Sequence, residues 1–144
     1  MRIENRKAKF DYQVVESLEA GIVLSGAEVK AIKSGQVNLE GARVIEKDGR
    51  LVVIGMQVLE YKFSHQEGYD PLRTKELLLK KGELLNLASK RMSSGLTLIP
   101  LSVYNKGALI KLELGLVRGK KKYEKREEMK KKAINKELAK RLKK

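Results

Sequence analysis

The chain has 144 residues, enough for one domain with a real core plus an extension, and 42% of them are apolar against 35% charged. It contains no Cys, which excludes disulfides, thiolate nucleophiles and Cys-ligated zinc. A formal net charge of +14 makes nucleic acid the first partner to consider and an anionic membrane the second.

The first residues, Met1 to Lys7, lack the apolar segment of a secretory signal. The longest apolar run, Leu51–Leu59, is interrupted by Gly55 and Gln57 and is too short to span a bilayer. A cytoplasmic protein is expected. Residues 2–9 hold Arg2, Arg6, Lys7 and Lys9 and read as a short basic arm. Tyr12–Ser17 and Ile22–Leu24 are β-prone, with Leu18-Glu19-Ala20-Gly21 as a turn, so a first hairpin is predicted there. Ser25-Gly26-Ala27-Glu28 fits a capping box at the start of a short helix. Val29, Ala31 and Ile32 would face inward, Lys30 and Lys33 outward, and Gly35 would end the helix.

Leu39–Ile45 and Leu51–Leu59 flank Lys47-Asp48-Gly49-Arg50, and Asp-Gly between β-branched runs is a strong hairpin signal. Tyr61–Leu72 is polar and mixed and reads as a long loop, followed by Arg73-Thr74-Lys75-Glu76 and the apolar Leu77-Leu78-Leu79. Glu83–Met92 has Leu84, Leu85, Leu87 and Ala88 at helical spacing. A last hairpin joins Leu96–Tyr104 to Leu109–Val117. In its second strand Ile110, Leu112, Leu114 and Leu116 alternate with Lys111 and Glu113, as in a sheet wet on one face. Pro100 cannot donate to a ladder and marks an edge or a bulge. About six strands with two inserted helices predict a mainly β fold, a small antiparallel barrel.

From Arg118 to Lys144 there are fourteen Lys and Arg against four Glu, a net +10, which leaves +4 for residues 1–117. No Gly or Pro interrupts 120–144, and Glu127–Lys131, Glu128–Lys132 and Glu137–Arg141 have the helix-favouring i,i+4 order. A nearly balanced body is thus joined to a positive rod, best neutralised by a polyanion.

Catalytic chemistry has no positive support. His65 is the only histidine, next to Ser64, and sequence adjacency does not orient a base on a nucleophile. With one His and no Cys, the usual zinc sets cannot be assembled. Gly115 to Lys121 imitates a P-loop, but it is one residue short between the glycines and has Lys121 where Ser or Thr should hold magnesium. No cofactor or metal is expected. A membrane-surface role for the rod is disfavoured because Met129, Ile134, Leu138 and Leu142 make too thin an apolar face. RNA is the remaining partner, and Tyr123, among lysines with no core to join, is the best stacking candidate.

The sequence resembles the bacterial small protein B family, the tmRNA-binding proteins of trans-translation. The resemblance is carried by Asn5-Arg6-Lys7-Ala8, Tyr12, Glu19 to Leu24, Gly26 to Lys30, Arg73-Thr74-Lys75, Leu77-Leu78-Leu79, Gly95-Leu96-Thr97, Pro100-Leu101, Tyr104, Gly119-Lys120-Lys121 and Lys125-Arg126, in order along nearly the whole chain. It departs from the family at Glu124, where Asp is usual, at Ala31, where Ser is common, and at Lys75-Glu76, where the family usually reads Arg-Lys.

The resemblance implies a six-stranded, oligonucleotide-binding-type barrel over residues 1–117 that holds the tRNA-like domain of tmRNA. It implies RNA contacts at Asn5, Glu19 and Leu78, with Arg6, Lys7, Gly21, Lys30, Lys33, Arg73 and Lys75 around them. Residues 118–144 would be a tail, disordered when free and helical in the vacant mRNA channel of a stalled ribosome. There Gly119, Lys120, Lys121, Tyr123, Lys125 and Arg126 would meet small-subunit ribosomal RNA. A monomer when free, with no membrane and no enzymatic activity, completes the expectation. The competing class, from charge alone, is a general basic RNA- or ribosome-associated structural protein.

Overall fold

A computed structural model describes residues 1–63, 67–83, 86, 95–119 and 122–142, the side chains of residues 122–125 and 142 excepted. Strand β1 (Arg2–Glu4), helix α1 (Arg6–Asp11), strand β2 (Tyr12–Ile22) and helix α2 (Gly26–Lys33) come first. Strands β3 (Val37–Asn38), β4 (Arg43–Lys47), β5 (Arg50–Ile54), β6 (Gln57–Val58) and β7 (Lys75–Leu78) follow. Strands β8 (Thr97–Lys106) and β9 (Leu109–Gly119) lead to the C-terminal helix α3 (Lys122–Leu142).

Seven strands form one antiparallel sheet in the order β1-β8-β9-β2-β7-β5-β4, and β3 pairs with β6 separately. Strand β4 comes back against β8, so the sheet curls on itself into a barrel-like body. The core inside it includes Ile32, Val53, Met56, Leu112 and Leu114, each at most 1% exposed. A second cluster of Ala8, Ile99, Leu101 and Val117 lies beneath α1.

Among the described residues the expected six strands become nine: the first two merge into β2, Leu51–Leu59 splits in two, and β1, β3 and β7 are added. Leu51–Leu59 is not one strand: Gly55 at φ 75° turns the chain, and a side chain there would meet the Gly41 carbonyl oxygen at 2.9 Å. The run therefore splits into β5 and β6. The short β1 is added at the sheet edge beside β8.

The predicted first hairpin is also replaced. Leu18 to Gly21 is not a turn but the middle of the eleven-residue β2, paired with β9 along its length. The alternation of Leu18, Ala20 and Ile22 inward with Glu19 and Gly21 outward keeps this stretch extended. Its Gly is a strand residue here.

Other expectations stand. Ser25 caps α2, its hydroxyl accepting from the Glu28 N–H while Glu28 accepts from the Ser25 N–H. The Asp48-Gly49 turn joins β4 to β5, both residues at positive φ as this tight connection requires. Pro100 sits at a register shift between β8 and β9, the predicted bulge. The Gly115–Gly119 part of the P-loop imitation is straight β9 strand. The predicted helix at 83–92 and His65 lie mostly or wholly outside the described residues.

The tail takes the helical one of its two expected forms, over 21 residues. Midway along it, the Lys132 ammonium lies 5.5 Å from the centre of the Phe10 ring of α1. No helix among the described residues is long and apolar enough to cross a membrane.

Candidate nucleic-acid interface

The sheet register assembles a surface that no local stretch of sequence reveals. Arg2 pairs with Tyr104, Tyr104 with Lys111, Lys111 with Gly21 and Gly21 with Leu78. These five residues therefore form one cross-strand row over β1, β8, β9, β2 and β7. The row faces outward, because the flanking Val103, Ile110, Leu112, Ala20, Ile22 and Leu77 are buried. The adjacent row on this face is Glu4, Ser102, Glu113 and Glu19, with Ser102 itself covered.

Leu78 is 56% exposed beside Gly21, where a Cβ would stand 3.2 Å from that of Leu78. An exposed aliphatic side chain packed close on glycine backbone thus forms one end of the row. Two strands away, the Tyr104 hydroxyl donates to Glu19 Oε2 at 2.5 Å, and Lys106 Nζ lies 3.4 Å from Glu19 Oε1. The hydrogen bond from Tyr104, then Lys106 and Lys111, holds the Glu19 carboxyl below its ordinary range. Burial and the bond to Glu19 push Tyr104 up to about 12. Arg2 stacks 4.9 Å from the Tyr104 ring centre and pairs with Glu4 and Glu113, while Lys9 also pairs with Glu4. A fixed, ionised acceptor beside an aromatic and an exposed aliphatic group can accept from base amino groups or a ribose hydroxyl and pack a sugar or base.

The remaining sequence-predicted residues fall into three groups. Arg6, Lys7, Lys30 and Lys33 are exposed on α1 and α2. Asn5 and Lys75 instead turn inward. Asn5, 3% exposed, caps α1 through Oδ1 and donates through Nδ2 to the Leu39 and Pro100 carbonyls at 3.1 and 3.0 Å. Lys75 is 0% exposed, with Nζ donating to the Arg73 carbonyl at 2.7 Å and lying 3.8 Å from Glu28 Oε2. In this structure neither side chain is presented to a ligand. Arg73 is half-exposed and grips Glu28 with two bonds, at 2.6 and 3.1 Å.

Glu28, read from sequence only as half of a capping box, is the centre of this buried network. Burial works to raise its carboxyl, but the bonds from Arg73 and the Ser25 N–H, with the Arg73 and Lys75 charges, bring it below the ordinary range. Burial drives the Lys75 ammonium the other way, lowering it despite Glu28. Glu76, where the family usually has a cation, faces Arg50 at 3.3 Å. Among the tail residues, Gly119 ends β9 opposite Tyr12 and Arg126 is exposed. Tyr123 and Lys125 lie on α3, and Lys120 and Lys121 lie outside the described residues.

A basic helix and a sheet face of this kind in one chain narrow the field, and comparison with known families settles it. Residues 2–144 match the family described as SmpB protein. The chain belongs to the SmpB family. It is 44% identical over 139 residues to the SsrA-binding protein of Carboxydothermus hydrogenoformans, a match covering 96% of this chain and 93% of the relative. The SsrA-binding protein of Acetivibrio thermocellus is 42% identical over 140 residues, with 97% and 91% covered. That of Gloeobacter violaceus is 42% identical over 136 residues, with 94% and 90% covered. Among solved structures, a chain described as "tmRNA-SmpB: a journey to the center of the bacterial ribosome" superposes with a TM-score of 0.70 at 43% identity, covering 92% of this chain and 94% of that one.

Of the residues in the outward row, sequence reasoning singled out Gly21 and Leu78 and counted Arg2 among the cations of the arm, but passed over Tyr104 and Lys111. The alternation along β9 signalled that Lys111 faces water. Only the register places it between Tyr104 and Gly21.

Proposed function

We propose that this protein is a cytoplasmic, non-enzymatic RNA adaptor of trans-translation. Its body, residues 1–117, binds tmRNA through the tRNA-like domain, and its tail, residues 118–144, enters the vacant mRNA channel of a stalled ribosome. The observation that carries the reading is the pairing of two unlike RNA-suited surfaces in one chain of this family. One is a sheet face where Gly21 stands opposite Leu78 and Glu19 lies two residues along the same strand. The other is a 21-residue helix in a segment of net charge +10.

The surfaces divide the work by chemistry. The sheet face offers few uncompensated charges and a defined shape, which suits recognition of one folded RNA. The helix offers repeated cations, which suits a channel walled by phosphate. On this reading Tyr123 stacks on ribosomal RNA, and Lys120, Lys121, Lys125 and Arg126 meet its backbone. Ordering the tail only on RNA would make the empty channel a condition for action.

The test uses two variants in reconstituted translation with tmRNA and ribosomes stalled on truncated message. A chain ending at Gly119, cut there because Gly119 still pairs with Tyr12, is expected to bind tmRNA within a few-fold of the full chain and to tag nothing. Glu19→Ala is expected to weaken tmRNA binding first, on the order of tenfold. Normal tagging by the truncated chain overturns the division. Equal affinity of the full chain for tmRNA and for an unrelated structured RNA at physiological salt would favour a general RNA-binding role instead.

A further inference from the structure

The sheet continues past Leu78 into the β4–β5 hairpin. Glu76 faces outward with Leu78, because Lys75 and Leu77 are buried, and it stands opposite Val52 of β5. In an antiparallel pair, two residues back along β5 means two forward along β7, so Arg50 comes level with Leu78. Lys47 of β4 stands opposite Arg50. Lys47, Asp48, Arg50 and Glu76 line an open cleft of about 430 Å³ together with Val52.

Position 76 holds a carboxylate where the family usually has a cation, and the cation of this corner comes from the neighbouring strand. The Arg50 side chain is 70% exposed. It meets Glu76 through Nη1 alone, 3.3 and 3.4 Å from the two carboxylate oxygens. Among the described residues its Nε and Nη2 make no bond, and neither does the Lys47 ammonium. A guanidinium held at one edge by a carboxylate keeps its remaining donors in a fixed fork that fits a phosphate, so little freedom is lost on binding. We infer that Arg50 is an RNA-binding residue that holds a phosphate at the Leu78 end of the face, so that this chain keeps across the strand pair the cation it lacks at position 76. Glu76 orients the guanidinium, Lys47 offsets the nearby Asp48, and Leu78, 56% exposed, packs on the adjoining sugar or base. Two cations and two acids cancel in the cleft, so net charge does not disclose the site.

The inference rests on the RNA-adaptor reading, and the experiment separates the two. Affinity for a full-length tmRNA transcript is measured against salt for the intact chain, Arg50→Gln, Arg50→Lys and the swap Arg50→Glu/Glu76→Lys. Loss of one phosphate contact lowers the slope of log affinity against log salt by roughly 0.7–0.9. Arg50→Gln is expected to show that drop with a nearly unchanged thermal midpoint, since an exposed ion pair contributes little to folding. Arg50→Lys is expected to keep the intact slope, and the swap to restore it by returning the cation to position 76. An unchanged slope in Arg50→Gln overturns the inference and leaves the pair with Glu76 a structural one. So does a swap that folds normally yet binds no better than Arg50→Gln. Failure of the intact chain to prefer tmRNA over another structured RNA sinks the adaptor reading instead, and leaves the slope comparison decisive for Arg50.

Discussion

On the proposed reading, the body and the tail of this protein answer the same problem, binding RNA, with opposite electrostatics. Residues 1–117 carry a net +4, and many of their outward charges are spent on one another: Arg2 on Glu4 and Glu113, Lys106 on Glu19, Arg50 on Glu76. Residues 118–144 carry +10, and their glutamates can neutralise only a minority of their cations. A pre-paired surface binds by shape and by a few placed groups. A surplus of cations binds by releasing counterions and is steeply salt-dependent. On that reading, net charge locates the less discriminating half of the molecule and conceals the more discriminating one.

The comparison can be broken most decisively by the truncation after Gly119, where complete loss of tagging with retained tmRNA binding is expected. The same truncation should also lower the salt slope of binding to ribosomal RNA by several units, since it removes most of the tail cations. A slope that stays put would make the body the main electrostatic binder.

The next largest effect belongs to the body alone. Glu28→Gln leaves Lys75 and Arg73 without their shared counter-charge in a site where the Glu28 side chain is 3% exposed. A loss of about 3–5 kcal/mol in equilibrium urea unfolding is expected, partly recovered in Glu28→Gln/Lys75→Met. A change too small to resolve would mean that the network contributes nothing.

The same group predicts a pH dependence. The carboxyl of Glu28 lies below its ordinary value of 4.5 in the fold, so the unfolded chain binds the proton more tightly. Its contribution is complete above that value and is lost as pH falls through the lower, folded value. Stability should therefore decline on the acid side below about pH 4.5, less steeply in Glu28→Gln. Parallel curves for the two proteins would remove Glu28 from the account.

Smaller still is Gly115→Ala. The new Cβ would stand 2.6 Å from Leu101 Cδ1, inside the cluster under α1, and overpacking of this kind costs about 1–3 kcal/mol. The tail should function normally in that variant at permissive temperature, as tagging assays would report. The smallest expected effect is Lys132→Ala, which removes the contact over Phe10 and about 0.5 kcal/mol from unfolding of the full chain. A larger loss would show that tail and body are more tightly joined than their charges imply.

Local signals in the sequence were enough for much of the fold. The capping box at Ser25 and Glu28, the Asp48-Gly49 turn, the bulge at Pro100 and the alternation of β9 depend on residues within a few positions of one another. Leu18 to Gly21 misled because a glycine after polar residues signals a turn unless a long partner strand holds it straight, and β9 lies some ninety residues away. Leu78 is one of three apolar residues in a row, and strand alternation turns it outward while keeping Leu77 in the core.

What the sequence determined by itself was the charge partition, the helical character of the tail, the β-rich body and the resemblance to its family, because composition and short-range spacing set each of these. What only the tertiary structure decided was which polar groups face one another. Lys75 goes inward because Glu28, from another element, sits beneath it, and Lys111 comes to Leu78 because three strands pair in a given register. Register couples residues distant in the chain, and the direction of a single side chain follows from that pairing rather than from its neighbours in sequence.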